Sequence, residues 1–380
     1  CTPARGSMYT GRFAFNHGMG TNCDMYHALA RELPDPGQLL HTRLQALGYR
    51  TGFTGKWHVG TKLGPGDYGF EGMSIPGYGD LREDPGFQHY LADSDLQYGP
   101  IRNPIYANRD RQTLMAGEWD GPLESTPTYY LANYSLDLLD DFARTYREDG
   151  QPFFLTCQFW APHGPYLPSP EYVDVHERDA IPPWSNWQDD YQGKPRRYPR
   201  LVNSFFAKLP ESWPGWQAVI GLAYDYTTLV DAQIGRLLTR LEELGLTEET
   251  LIIFASDHGD MLGSHGLHDK GYMYEEAHRV PLLVRLPGQQ EARENDALVY
   301  NMDIFPTILD LLGQEASDLD AESMLPHLHG DAGQNSQRDA VYLEFHGIRY
   351  LRTERGVVTA DGLKYIFNPA DDDELYDLNA

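Results

Sequence analysis

The sequence predicts an α/β fold: a mostly parallel central sheet sandwiched by helices, followed by a small antiparallel α+β subdomain. Three observations carry this expectation. Short apolar runs alternate with segments of helical periodicity over residues 1–315. From residue 316 to 380 the pattern changes to short strands divided by turns. The apolar runs also end on charged clusters, as strands do when they feed a site beyond their carboxyl ends.

The elements follow in order. Gly37 to Gly48 reads as a short helix with Leu40, Leu44 and Leu47 on one face, and Gly48 stops it. Arg50–Thr54 is strand-like and runs into Gly55-Lys56-Trp57-His58. Residues 61–125 are rich in Gly, Pro, Tyr and Asp with little periodicity, and are expected to be a long ordered excursion near a site. Residues 127–147 look helical through Leu131, Leu136, Leu139 and Phe142, and Pro152–Trp160 is a buried strand ending at Ala161-Pro162-His163. A second excursion, rich in Pro, Trp and Tyr, covers 165–214. Trp216–Leu244 carries the strongest helical signal, with Val219, Ala223, Tyr226, Val230, Ile234, Leu237 and Leu241 at three- and four-residue steps. Leu251–Ala255 is continuously apolar, which predicts a central strand covered on both faces. Val280–Leu286 is another strand and Met302–Leu312 a helix; Val341–Phe345, Ile348–Thr353 and Leu363–Phe367 are the short strands of the second unit.

Composition narrows the partners. The 380 residues hold 30 Lys and Arg against 56 Asp and Glu, a formal charge of −26. Nucleic acid and anionic lipid surfaces are repelled by such a chain, so neither is an expected partner. No apolar run reaches the roughly 18 residues of a membrane helix. An anionic substrate would need positive charge gathered locally, and lysines are scarce: Lys56, Lys62, Lys194, Lys208, Lys270 and Lys364. Cys1, Cys23 and Cys157 are too few for a disulfide framework and odd in number.

Three stations lie at strand exits: Lys56 with His58, then His163, then Asp257 with His258. Adjacent Asp and His can offer an oxygen and a nitrogen to a metal. The alternatives are ordinary: a hydrogen-bonded turn at Ser256-Asp257-His258-Gly259, a histidine capping its turn, solvated lysines. His265, His268 and His278 are expected to be structural, Trp57 to be packing, and Asp260 to support its loop.

These stations resemble the motifs of the type I, formylglycine-dependent sulfatases of the alkaline phosphatase-like superfamily. Cys1-Thr2-Pro3-Ala4-Arg5 with Thr10-Gly11-Arg12 is similar to their first signature, and Gly55-Lys56-Trp57-His58-Val59-Gly60 to their second. Ala161-Pro162-His163 resembles their leaving-group station, and Ser256 to Gly263 with Lys270-Gly271 their metal and second-lysine segment. Asn301 to Thr307 and Glu374 to Leu378 read like later landmarks, so the likeness spans nearly the whole chain.

The resemblance implies hydrolysis of carbohydrate or aryl sulfate esters. A maturation enzyme would oxidise Cys1 to formylglycine, whose hydrate attacks sulfur with one hydroxyl and expels sulfate through the other. Asp257 and His258, with the modified Cys1, would hold one divalent metal. Calcium is the usual choice; the imidazole also admits Mn²⁺ or Zn²⁺. Arg5 would orient the aldehyde and metal shell, Lys56 and Lys270 would hold sulfuryl oxygens, and His163 or Lys270 would protonate the leaving alcohol. His58 would be the base that resolves the covalent intermediate.

The family also places two metal-binding Asp residues on a first strand before the cysteine. The sequence is therefore expected to be a fragment lacking that strand, truncated near Ala380, and poor at binding metal as it stands. Its export signal would lie in the missing leader, favouring a periplasmic or extracellular location. Two further readings stand beside the sulfatase: a phosphonate monoester or phosphodiester hydrolase of the same superfamily, suggested by His258, and an inactive fragment or pseudoenzyme.

Overall fold

The computed structural model describes residues 1–34, 36–107, 113–202, 210–330, 338–348 and 351–380. In chain order the strands are β1 Arg50–Gly55, β2 Glu71–Gly72, β3 Ile101–Tyr106, β4 Leu114–Trp119, β5 Phe153–Gln158 and β6 Ile252–Ala255. They continue with β7 Leu282–Arg285, β8 Ala340–Gly347, β9 Leu351–Thr359, β10 Leu363–Phe367 and β11 Glu374–Asp377.

β2, β1 and β5 form a parallel sheet in that order. Its register runs from Arg50 opposite Phe153 to Gly55 opposite Gln158, so the two strands end level with each other. That level ending positions the site: the chain leaves β1 at Lys56 and β5 towards His163 on one edge. Gly55 makes the exit possible. Its φ is 99°, and a Cβ there would lie 2.0 Å from the Gln158 carbonyl oxygen, a clash no side chain survives.

The helix Pro127–Asp149 begins with Thr126, whose hydroxyl accepts from the Tyr129 amide at 3.2 Å, and ends at Gly150 with φ 70°. Its buried face, Leu131, Ser135, Leu139 and Phe142, lies along β1. There Phe142 and Leu138 crowd the space above Gly52, and Ser135 bonds Thr54 at 2.7 Å. The helix Trp213–Glu243 buries Val219, Ile220, Ala223 and Leu229. Each such fully buried apolar side chain contributes roughly 1.5–3 kcal/mol. Trp57, expected to be packing, sits at the centre of a core with Tyr9, Phe53, Tyr68 and Phe70. Among the described residues no helix is long and apolar enough to cross a membrane.

Several expectations are corrected. Leu251–Ala255 is covered on its second face only in part: β6 pairs antiparallel with β7, and Ile252 packs in the cluster of Leu139 and Leu241, but Phe254 on the same face is 39% exposed. The run reads as buried because Ile253, Ala255 and Leu282 pack on Phe305 and Ile308 from the helix Ile304–Leu311, while Phe254 and Leu283 face outward. Residues 61–125 hold a helix, Pro85–Asp93, capped by Asp84 accepting from the Phe87 amide, and the β3–β4 pair. Part of that stretch, residues 108–112, lies outside the described residues, as do 203–209 of the second excursion. Of the expected strand Ile348–Thr353, residues 349 and 350 lie outside the described residues, and the strand that follows is longer, Leu351–Thr359. β8 to β11 form an antiparallel sheet in the order β11-β10-β9-β8.

Two buried polar groups anchor this scaffold. Asp303 accepts from Arg338 and from the Tyr300 and Glu322 amides at 2.7 and 2.9 Å, with its side chain fully buried. Asp303→Ala leaves Arg338 only the longer pair to the more exposed Glu322 at 3.5 Å and lowers unfolding free energy by about 3 kcal/mol, read by urea titration. His41 is 0% exposed and stacks on Phe70 at 4.0 Å, and burial drops its pKa from 6.5 to about 4. Between those two pH values the unfolded chain binds the extra proton, so stability falls as pH falls from 6.5 towards 4. In His41→Gln the loss of urea midpoint across that interval is smaller than in the wild type.

Candidate active site

The helix Thr2–Thr10 starts directly after Cys1, which acts as its N-cap residue, and Pro3 sits in the first turn, where its missing N–H costs nothing. The helix therefore directs its positive end at Cys1. Thr2 locks this entry: its hydroxyl donates to the His58 carbonyl at 2.5 Å and accepts from the Cys23 amide at 3.2 Å.

Around the Cys1 sulfur the separate stations meet. Lys56 Nζ lies 3.2 Å from Cys1 Sγ and His258 Nε2 lies 3.0 Å from it. Cys1, His163 and His258 each present a ligand atom within 4.8 Å of the others. Arg5 is buried below, its Nε donating to Asp257 Oδ2 at 2.8 Å and its Nη1 to the Lys56 carbonyl at 2.7 Å and to Gln158 Oε1. Lys270 Nζ donates to His163 Nε2 at 2.6 Å and to Asp269 Oδ1 at 2.7 Å.

Backbone carbonyls set the imidazole tautomers. His163 Nδ1 faces the Gly164 carbonyl and His258 Nδ1 the Gly259 carbonyl, both at 2.8 Å. Carbonyls only accept, so each Nδ1 carries hydrogen and each Nε2 presents a lone pair to the pocket. Burial, with Lys270 and Lys56 nearby, depresses His163 to about 3. Burial likewise pushes His258 far down although Asp257 opposes it. Burial would raise the Asp257 carboxyl, but Arg5 and His258 hold it well below the usual range. Lys56 falls to about 7 through burial and the neighbouring Arg5. The pocket thus concentrates cationic donors inside a strongly acidic chain.

His58 is placed differently from the rest. It is 2% exposed, its backbone has φ 56°, and its Nε2 meets Asp24 Oδ1 at 3.2 Å. Its Nδ1 is buried without a partner among the described residues, and burial lowers the imidazole to about 4. The neighbouring histidines have contacts of their own: His265 bonds Asp189 at 2.6 Å, His278 meets Glu275 and Lys364, and His268 lies near the Tyr166 and Trp216 rings at 6.2 and 6.4 Å. Asp260 holds its own loop, accepting from Tyr166 at 2.7 Å and from the Leu262 and Asp269 amides.

The donor set suits a divalent cation. Asp257 Oδ1 and His258 Nε2 lie 3.7 Å apart, and neither the second Asp257 oxygen nor His258 Nδ1, both already engaged, is required. The anionic oxygen suits a hard or borderline cation, and the neutral imidazole lone pair beside it suits a borderline one.

Comparison with known proteins places the chain in a family. Residues 1–314 match the family described as Sulfatase. The chain belongs to the sulfatase family. Residues 263–380 also match the C-terminal region described for N-sulphoglucosamine sulphohydrolase. The sulfatase is 25% identical to an N-acetylglucosamine-6-O-sulfatase of Bacteroides thetaiotaomicron, spanning 100% of this chain and 72% of that protein. It is 28% identical to human N-acetylglucosamine-6-sulfatase over 91% of its length and 59% of the human chain. Among solved structures, the phosphonate monoester hydrolase of Silicibacter pomeroyi superposes with a TM-score of 0.77 at 21% identity, covering 100% of this chain and 80% of that one. The fold is alkaline phosphatase-like, and the activity is hydrolysis of sulfate esters.

Sequence motifs located Cys1, Arg5, Lys56, His163, Asp257, His258 and Lys270, and the fold brings these side chains together. They did not locate Gln158, Asp24, Asp269 or Tyr78. Gln158 had a signal, a polar residue closing an apolar strand, and Asp269 stood beside Lys270. Arg5 bridges three segments with a planar fork that lysine cannot copy. Arg5→Lys lowers kcat/KM for nitrophenyl sulfate by about a hundredfold or more, with an unchanged far-ultraviolet circular dichroism spectrum.

Proposed function

We propose that this sulfatase cleaves the sulfate ester of a saccharide using a nucleophile derived from Cys1, with Asp257 and His258 holding one divalent metal. The convergence of Lys56 Nζ and His258 Nε2 on Cys1 Sγ, at 3.2 and 3.0 Å, carries this reading. The saccharide is supported by similarity to N-acetylglucosamine-6-sulfatases along almost the whole chain.

Each residue then has a task at a stated atom. Formylglycine made from Cys1 by a maturation enzyme supplies, as its hydrate, the attacking hydroxyl. A metal held by Asp257 and His258 would supply Lewis-acid polarisation of the sulfuryl group; the carboxylate oxygen suits Ca²⁺ or Mn²⁺, and the imidazole nitrogen favours Mn²⁺ or Zn²⁺ over Ca²⁺. Lys56 and Lys270 direct N–H groups at the sulfuryl oxygens, where negative charge must be held. Arg5 fixes the Asp257 carboxylate and the Lys56 backbone in one plane. His163, neutral and accepting from Lys270, cannot itself bring a proton, so the leaving alcohol is protonated from Lys270 Nζ with His163 holding that ammonium in place. His58, also neutral, keeps Nδ1 free to take a proton while Asp24 grips its other nitrogen.

Production together with a formylglycine-generating enzyme tests the proposal. The peptide carrying Cys1 should lose sulfur and two hydrogens and gain one oxygen by mass spectrometry. Turnover of N-acetylglucosamine 6-sulfate and nitrophenyl sulfate should exceed that of nitrophenyl phenylphosphonate by about tenfold in kcat/KM, or ~1.4 kcal/mol. The opposite preference assigns a phosphonate hydrolase, and an intact thiol without turnover assigns a non-catalytic protein.

A further inference from the structure

We infer that Tyr78 determines specificity: its ring forms the wall against which the carbon ring of the ester's alcohol lies. The inference rests on the sulfate-ester reading above and names the substrate class as sulfates of cyclic alcohols, pyranosyl or aryl, rather than of open alkyl chains.

Tyr78 touches the candidate machinery from three sides. Lys56 Nζ lies 4.4 Å from its ring centroid, and the rings of His58 and His163 meet it edge-on at 5.2 and 5.8 Å. Burial separates it from those neighbours. Lys56 and His58 are each 2% exposed and Cys1 8%, whereas Tyr78 is 36% exposed. It is therefore the aromatic surface standing where the charged floor of the pocket gives way to solvent. The leaving oxygen takes its proton beside His163, so the carbon bonded to that oxygen comes to rest near the same ring. A sulfuryl group needs cations and a sugar or aryl ring needs an apolar face. Tyr78 is where the two requirements meet.

The ring is also held in place before anything binds. The Gly77 carbonyl accepts from the His58 amide at 2.8 Å, the Gly77 amide donates to the Gly60 carbonyl at 2.5 Å, and the Tyr78 carbonyl accepts from Trp160 Nε1 at 2.8 Å. Gly77 and Gly79 turn the chain on either side with φ of 69° and 73°. At Gly79 a side chain would also press on Ile75 and Trp160, at 3.0 and 3.1 Å. A wall ordered in advance saves the substrate the entropy of ordering it.

Calorimetric titration of the Cys1→Ala protein with cyclohexyl sulfate and with inorganic sulfate separates the wall from the floor. Adding Tyr78→Ala should weaken cyclohexyl sulfate about five- to tenfold and inorganic sulfate less than about twofold. Tyr78→Phe should retain the affinity for cyclohexyl sulfate, and Tyr78→Leu, which fills the space without a flat ring, should fall between. Equal weakening of both ligands, or of neither, overturns the inference by making Tyr78 packing for Lys56. Thermal unfolding of each variant identifies a misfolded Tyr78→Ala, in which case the Leu and Phe pair decides. Turnover by the matured wild type is scored separately: discrimination in binding with no hydrolysis of any sulfate ester defeats the functional reading while keeping the wall.

Discussion

One buried guanidinium holds the site together. Arg5, on the first helix, reaches Asp257 after β6, the Lys56 carbonyl after β1 and Gln158 at the end of β5. Burying such a charge is costly unless every N–H finds an acceptor. The fold supplies acceptors to Nε and Nη1 by bringing three strand ends to the same helix. The satisfaction of Arg5 and the assembly of the pocket are thus one event. This also explains why Asp257 can stay ionised deep in the protein with one oxygen still directed at the site.

The pocket works against the molecule's own field. A chain with a formal charge of −26 repels a sulfate ester at long range. Within the pocket, Lys56 lies 3.2 Å from the Cys1 sulfur, Lys270 stands on His163 and Arg5 on Asp257, and a helix N-terminus adds its positive end. At physiological salt the repulsion fades over about 8 Å, while buried cations are screened far less. Local design therefore prevails over global charge at the distance where binding happens.

The fold was readable where periodicity had a single cause. The helices Pro127–Asp149 and Trp213–Glu243 bury one stripe each, so their spacing shows directly. Leu251–Ala255 misled because an apolar run looks alike whether one face or both are covered; Phe254 faces outward all the same. The helix Pro85–Asp93 did announce itself, through Asp84 followed by Pro85, but inside a stretch otherwise without pattern. The site divides in the same way. Cys1, Lys56, His58, His163, Asp257, His258 and Lys270 lie in short motifs whose order and spacing, rather than residue type, single them out. Asp24 and Tyr78 have no local signature, because only folding sets them beside His58.

The last sheet reaches further into the chemistry than its distance along the chain suggests. From β9, Arg352 donates to the Gly271 carbonyl at 2.5 Å and lies 4.7 Å from the Phe345 ring, which stands beside Gly271. Gly271 follows Lys270 directly, so an ammonium assigned to the leaving group is suspended from a separate sheet like a lintel from its post. The carboxyl-terminal strands are thereby part of the reaction's framework. A protein shortened before β9 would keep its parallel sheet and its cysteine pocket yet lose the tie that holds Gly271 and, beside it, Lys270.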